Sequence, residues 1–253
     1  MIELPKLVDW RGSLSFVEAA NHIPFPIARV YWVYDIPGGG CREGRALRSQ
    51  HEVIIALSGS FDVVLSDGWN KRRYTINRSY QALHVPNMMW REMENFSTNA
   101  ICLVIASGAY NENDYIRQYE EFRGAVRSDE SDTSFQRESK IVKREVLYNT
   151  IADCSLIDFP VIQNRSGNIT SVHGSLQVPF NIERVFYIYD IPNGAERGMH
   201  AHKHCHEILV AVSGSFDVEL DDGIEKRIVR LNRPMKGLHM PAGVEAIEKD
   251  YSS

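Results

Sequence analysis

The chain has 253 residues, 43% of them hydrophobic and 24% charged, with a net charge of −5. That apolar content suffices for an ordinary core, and the acid excess excludes a chain-wide electrostatic footprint for nucleic acid or an anionic membrane. No stretch approaches the ~20 apolar residues of a membrane helix. Met1-Ile-Glu-Leu-Pro-Lys6 also lacks the cationic start and apolar run of a signal peptide, so a cytoplasmic chain with reduced Cys41, Cys102, Cys154 and Cys205 is expected.

Along the chain, residues 11–98 recur as 166–253 at a constant offset of 155 and without a gap. Ser58-Gly-Ser-Phe-Asp-Val63 returns as Ser213-Gly-Ser-Phe-Asp-Val218, and Tyr34-Asp-Ile-Pro37 as Tyr189-Asp-Ile-Pro192. Each copy reads as short strands between turns. Ala28–Tyr34 and Glu183–Tyr189 are β-branched and aromatic, and Glu52–Leu57 and Glu207–Val212 are apolar enough for buried strands. Ser66-Asp-Gly68 and Asp221-Asp-Gly223 suit hairpin turns. This predicts an all-β fold of two tandem barrels.

After the first copy, Ala100–Ser107 predicts another apolar strand. Tyr115, Ile116, Tyr119 and Phe122 then recur at helical spacing, which predicts a short helix over 113–122 capped by Asn113 or Asp114. Polar residues follow, so the expected organisation is a first domain at 1–123, a linker at 124–140 and a second domain at 141–253. Strands are expected within Ile141–Ile162. The second copy stops at Ser253 with no equivalent of strand 100–107, so its barrel is either short of one strand or receives it from elsewhere.

The copies differ most where chemistry is expected. The second reads Arg197-Gly-Met-His200-Ala-His202-Lys-His-Cys-His-Glu207, and the first Arg42-Glu-Gly-Arg45-Ala-Leu47-Arg-Ser-Gln-His-Glu52. On a strand, residues i and i+2 face one way, so His200 and His202 would share a cavity, where two histidines are costly unless solvated, paired or used. His204 and His206 share that phase only if the strand continues, and the match of His206 to His51 favours a structural role. His200, His202 and Glu207 also fit the first metal motif of cupins, a donor set suited to Fe, Mn, Ni or Zn. The fourth ligand of the second motif is absent after Pro241-Ala-Gly243.

Several stretches together resemble the RmlC-like cupins that act as nucleotide-sugar 3,4-ketoisomerases, the WxcM/FdtA type. The carriers include Asp9-x-Arg-Gly-Ser-Leu14, Arg29-Val-Tyr-Trp-Val-Tyr34, Trp90-x-Glu-x-x-x-Phe-Ser97, Asp114-Tyr-Ile-Arg-x-Tyr-x-x-Phe122 and Arg197-Gly-x-His-Ala-His-Lys203. The resemblance implies double-stranded β-helix barrels, dimeric association and conversion of dTDP-4-keto-6-deoxyglucose to a 3-keto isomer without metal or organic cofactor. By position it implies His200 and His202 as active-site histidines, Tyr187 as a tyrosine near the sugar, and Arg184 and Arg197 in the binding cleft. Glu207 stands where the family has glutamine, and Glu245 where it has tryptophan. The partner implied is a nucleotide-linked deoxysugar, with the competent site in the second barrel and a degenerate one in the first. The two barrels would form an intramolecular pseudo-dimer, with further self-association open. Binding without turnover, an epimerase-type reaction, and a metal-dependent cupin using His200, His202 and Glu207 remain the other readings.

Overall fold

The computed structural model describes residues 1–128 and 149–252. The first half contributes β1 (Ile2–Glu3), β2 (Lys6–Asp9), β3 (Gly12–Glu18), β4 (Arg29–Tyr34), β5 (Arg42–Leu47) and β6 (Glu52–Ser58). It continues with β7 (Phe61–Ser66), β8 (Lys71–Ile76), β9 (Gln81–Val85), β10 (Trp90–Glu94), β11 (Ile101–Ala106), β12 (Tyr115–Ile116) and α1 (Tyr119–Ser128). The second half contributes β13 (Ser155–Asp158), β14 (Val161–Asn164), β15 (Gly167–His173), β16 (Arg184–Tyr189) and β17 (Arg197–Ala201). It ends with β18 (Glu207–Val210), β19 (Ser215–Asp221), β20 (Lys226–Leu231), β21 (Lys236–Met240) and β22 (Glu245–Ser252). The architecture is all-β, as expected, with one α-helix among the described residues.

The two halves exchange strands. One sheet runs β1-β9-β6-β11-β4-β15-β14, so its last two strands come from the second half. Asn168 lies opposite Tyr34 and His173 opposite Arg29. Reciprocally β3, from the first half, pairs with β16, from Arg184↔Glu18 to Tyr189↔Ser13. Each exchanged strand starts at a glycine with positive φ, Gly12 (+112°) and Gly167 (+99°). A Cβ there would lie 2.8 Å from the carbonyl oxygens of Asp190 and Tyr34 respectively, so a side chain would block the crossing.

Three apolar layers result. One lies between the barrels and mixes both halves, with Val17, Phe25, Trp32, Ile55 and Leu103 beside Phe159, Val172, Val178 and Tyr187. A second fills the first barrel around Phe61, Phe96, Ile54 and Val104. A third fills the second barrel around Leu209, Phe216, Leu220 and Leu238. Burial of this kind, at roughly 25 cal/mol per Å² of apolar area, is what offsets the chain entropy of a fold rich in non-local pairings.

The helix begins later than its periodicity suggested. Glu112–Asp114 form a 3-10 turn capped by Asn111, and Tyr115 and Ile116 pair with Leu47 and Ala46 before α1 starts at Tyr119. Asp114 is buried and accepts hydrogen bonds from the Ser49 backbone N–H and hydroxyl, so tertiary pairing overrides the local helical pattern. The first five residues of the expected linker, 124–128, close α1. Residues 129–140 of that linker, and 141–148 of the expected opening strands, lie outside the described residues. Among the described residues no helix is long and apolar enough to cross a membrane.

Candidate functional site

The approach to His200 is shaped by a bulge. Gly198 and Met199 both take positive φ (+82° and +59°), and the register of β17 against β22 shifts between Gly198 and His200. A Cβ on Gly198 would run into the Ala246 carbonyl, so only glycine fits there. Beyond the bulge the His200 and His202 rings meet edge to face, 5.0 Å apart at 89°. The i/i+2 pair thus converges as its spacing predicted.

Both rings line an open pocket with Cys205, Glu207, Met240, Val244 and Glu248 among its walls. Glu207, at the start of β18, sets an oxygen 3.8 Å from His202 Nε2. The Tyr251 hydroxyl donates to Glu248 at 3.3 Å and the Tyr251 ring stacks on Phe216. Burial, with Glu248 adding repulsion, pushes the Glu207 carboxyl up to about 7. Burial also raises Glu248, and it lowers His202, aided by His200 and Arg184.

A stability consequence arises here. With Glu207 at about 7 against an ordinary 4.5, the folded chain keeps a proton that the unfolded chain has released, so stability falls as pH rises through that window. At about 1.4 kcal/mol per unit the full penalty above pH 7 is about 3.5 kcal/mol. Glu207→Gln is therefore expected to raise the Tm by about 7–14 °C at pH 8 and to leave it nearly unchanged at pH 4. Thermal melts at both pH values check this; the same difference at both would mean that ionisation is not its source.

The equivalent pocket in the first barrel, lined by Arg45, Leu47, Gln50, Glu52 and Arg91, carries a charged network instead of the histidine pair. Tyr31 donates to Glu52 at 2.6 Å, Arg91 Nε donates to Glu52 at 2.7 Å and Arg91 Nη2 donates to the Tyr31 hydroxyl at 2.9 Å. Arg45, at the position of His200, donates to the same hydroxyl at 2.8 Å. Burial alone would raise Glu52, but Arg91, Arg45 and the Tyr31 hydrogen bond hold it at about 2. Glu52 and Glu207 occupy matching positions and titrate in opposite directions, because Ala246, His200 and Phe186 replace Arg91, Arg45 and Tyr31.

Tyr187, Arg197 and the alternative ligand set are placed as follows. Tyr187 does not reach the cavity: it is buried between the barrels and its hydroxyl donates to the Ser79 carbonyl. Alternation along β16 turns Phe186 toward the interior of the second barrel and Tyr187 away from it. Arg197 is buried, donates to the Arg11 carbonyl at 3.0 Å and lies 3.7 Å from Asp9, so the first half holds it. The alternative ligand set His200, His202 and Glu207 is not assembled for a cation: among the described residues no three His, Cys, Asp or Glu side chains form a metal-holding group.

Arg184 is exposed, 3.7 Å from Glu18, and its charge acts on both His202 and Glu207. His206 stacks on His239 with Nδ1 and Nε2 3.0 Å apart beside Phe180. His51 and His84 repeat this beside Phe25, which gives the pair a packing role in both barrels. Glu248 and Tyr251 were missed from sequence. They stand opposite Met93 and Phe96 at the same offset, in a stretch where the two copies differ throughout.

The WxcM-like, C-terminal family (FdtA) matches residues 1–127 and 152–253, and the chain belongs to that family. The chain is 38% identical over 123 residues to the TDP-4-oxo-6-deoxy-α-D-glucose-3,4-oxoisomerase of Aneurinibacillus thermoaerophilus, covering 49% of this chain and 88% of that protein. It is 40% identical to the WlaRB TDP-quinovose 3,4-ketoisomerase of Campylobacter jejuni, over 49% of this chain and 95% of the other, with a TM-score of 0.48. A mutant of the 3,4-ketoisomerase QdtA from Thermoanaerobacterium thermosaccharolyticum, in complex with TDP-4-keto-6-deoxyglucose, is 29% identical over 52% of this chain and 95% of the other, with a TM-score of 0.50. These relatives are thus about half the length of this chain, near that of one copy of its repeat.

Proposed function

We propose that the second barrel is a nucleotide-sugar 3,4-ketoisomerase site for a TDP-4-keto-6-deoxyhexose. The observation that supports it most is the pocket that joins His200, His202 and Glu207, where the matching pocket of the first copy is lined by the Arg91–Glu52 ion pair and Arg45. Moving the carbonyl from C4 to C3 requires removal of the C3 proton, protonation of O4 to an enediol, loss of the O3 proton and return of a proton to C4. His202, held neutral near pH 7, is the base at C3. Glu207, protonated up to about pH 7, supplies the proton to O4, and His200 steadies the charge developing between O3 and O4.

Arg184 is the cation for the diphosphate, whereas Arg197 positions the bulge through the Arg11 carbonyl. The exchanged strands support reading the chain as an intramolecular pseudo-dimer with one competent pocket. Binding without turnover is the second reading. It is favoured by β16 and β18, which carry Arg184 and Glu207 and are each paired along one edge only among the described residues.

Proton NMR of dTDP-4-keto-6-deoxyglucose with the protein in D2O tests both. A 3-keto product with deuterium at C4, and deuterium at C3 of substrate returned from the enediol, are expected. A spectrum that stays unchanged while the nucleotide resonances broaden would select the second reading.

A further inference from the structure

The pocket of the first barrel uses the positions of the second with different chemistry. Arg45, Leu47, Gln50 and Arg91 line it where the second copy has His200, His202, Cys205 and Ala246. The change takes out both histidines and the thiol and puts in two cations and an amide.

Those cations join others. Arg29 is buried, lies 5.2 Å over the Tyr31 ring and donates to the Tyr115 hydroxyl at 3.2 Å. Arg45 lies 5.3 Å over the Tyr115 ring from the pocket side. Arg42 donates to the Ser166 carbonyl at 2.9 Å, and burial together with Arg45 and Arg91 lowers its pKa. Against these four guanidiniums stand two buried carboxylates, Glu52 and Asp114, and Asp114 is already bonded by Ser49. The exposed Glu112 is paired with Arg117. The cluster therefore carries an excess of positive charge in a partly desolvated place, which draws an anion.

Two polar atoms of the pocket residues are also unmet. Arg45 Nε and Gln50 Oε1 are buried with no hydrogen-bond partner among the described residues. Gln50 is 7% exposed and its Nε2 donates to the Ala109 carbonyl at 2.9 Å, which fixes Oε1 as the acceptor end of the amide. Buried donors and acceptors left in this way are costly and rare. Arg91 cannot serve Gln50, because its nitrogens are committed to Glu52, the Tyr31 hydroxyl and Met93 Sδ.

We propose that this pocket binds a small oxyanion that keeps an acidic hydroxyl, namely hydrogen phosphate or a phosphomonoester. One of its oxygens accepts from Arg45 Nε, and its O–H donates to Gln50 Oε1. Water would meet both atoms but not the charge. Sulfate would meet the charge but has no hydrogen to give at neutral pH. The site does not depend on whether the second barrel isomerises a sugar.

Calorimetric titration of the full chain with inorganic phosphate tests it. One site with a Kd of about 1 mM or below is expected, and sulfate should bind about 5–150-fold more weakly because Gln50 stays unmet. Arg45→His, which copies the second barrel, should weaken phosphate by about tenfold or more. Gln50→Met should bring phosphate and sulfate to equal affinity. Arg184→Gln, in the second barrel, should change neither. Methyl phosphate that displaces phosphate makes a monoester the ligand, and failure to displace makes it the inorganic ion; either result upholds the site. Titrations that do not saturate, binding undiminished in Arg45→His, phosphate still preferred in Gln50→Met, or binding lost in Arg184→Gln each overturn the proposal.

Discussion

Replacing His202 with asparagine is expected to lower ketoisomerase turnover by about 10²–10⁴-fold, the contribution of a positioned base. The substitution keeps a polar side chain of similar reach but removes the group that accepts the C3 proton. His202 is half-buried, with Glu207 3.8 Å away and the His200 ring edge to face at 5.0 Å. The pH profile of the native protein carries the same information. His202 is lowered from its ordinary value of 6.5, so the acid limb lies below pH 6.5, and Glu207 at about 7 gives the alkaline limb as its proton is lost. The optimum is therefore narrow and slightly acid. Glu207→Gln should lower the rate throughout, for want of the acid at O4, and remove the alkaline limb while leaving the acid one. Steady-state rates from pH 5 to 9 on the three proteins check this, and a His202→Asn rate within a few-fold of native would remove His202 as the base.

Arg91→Leu is expected to destabilise the chain by about 3–5 kcal/mol, or roughly 6–20 °C in Tm. Arg91 and Glu52 are both nearly inaccessible and 2.7 Å apart, so the variant leaves a buried carboxylate with its main counter-charge removed. Arg45 does not compensate, being 3.8 Å from Glu52 and partly exposed. In the native chain Glu52 titrates at about 2, so its contribution is present above the unfolded value of about 4.5 and is lost only as pH falls towards 2. In the variant Glu52 protonates more readily, so the gap between the two melting temperatures should narrow between pH 7 and pH 4. Adding Glu52→Gln should recover most of the loss. Thermal melts of the single and double variants measure it; a single variant within about 2 °C of native would show that the pair is worth no more than a surface ion pair.

Much of this was readable from the repeat. The offset of 155 identified the barrels, the strand runs and the difference between His200 and Arg45. The exchange of β3 and β15 was not legible. Two copies of one module offer nearly identical edges, so β3 pairing with β16 rather than with β4 leaves no local mark in the sequence. Tyr187 came only from the family resemblance by position, and β16, with apolar residues on both faces, offers no polar alternation that would have shown which side faces the pocket. The start of α1 was displaced because Tyr115 and Ile116 have helical spacing but are used in pairing with β5. Glu248 and Tyr251 stand where the first copy has the apolar Met93 and Phe96, but the copies diverge over the whole of 245–251, so nothing singled those two residues out.

The exchange also imposes an order on biosynthesis. The ribosome completes β11 at Ala106, yet β4 lacks one neighbour until β15 is finished at His173, 67 residues later. At about 5–20 residues per second the nascent first half waits roughly 3–13 s with an aromatic, β-branched edge exposed. Strand addition from a neighbouring nascent chain competes during that interval, and a stop or proteolytic cut before residue 167 makes the exposure permanent. Fragments of the first half alone are thus the species of this protein most prone to aggregate, although that half has the larger share of fully buried side chains.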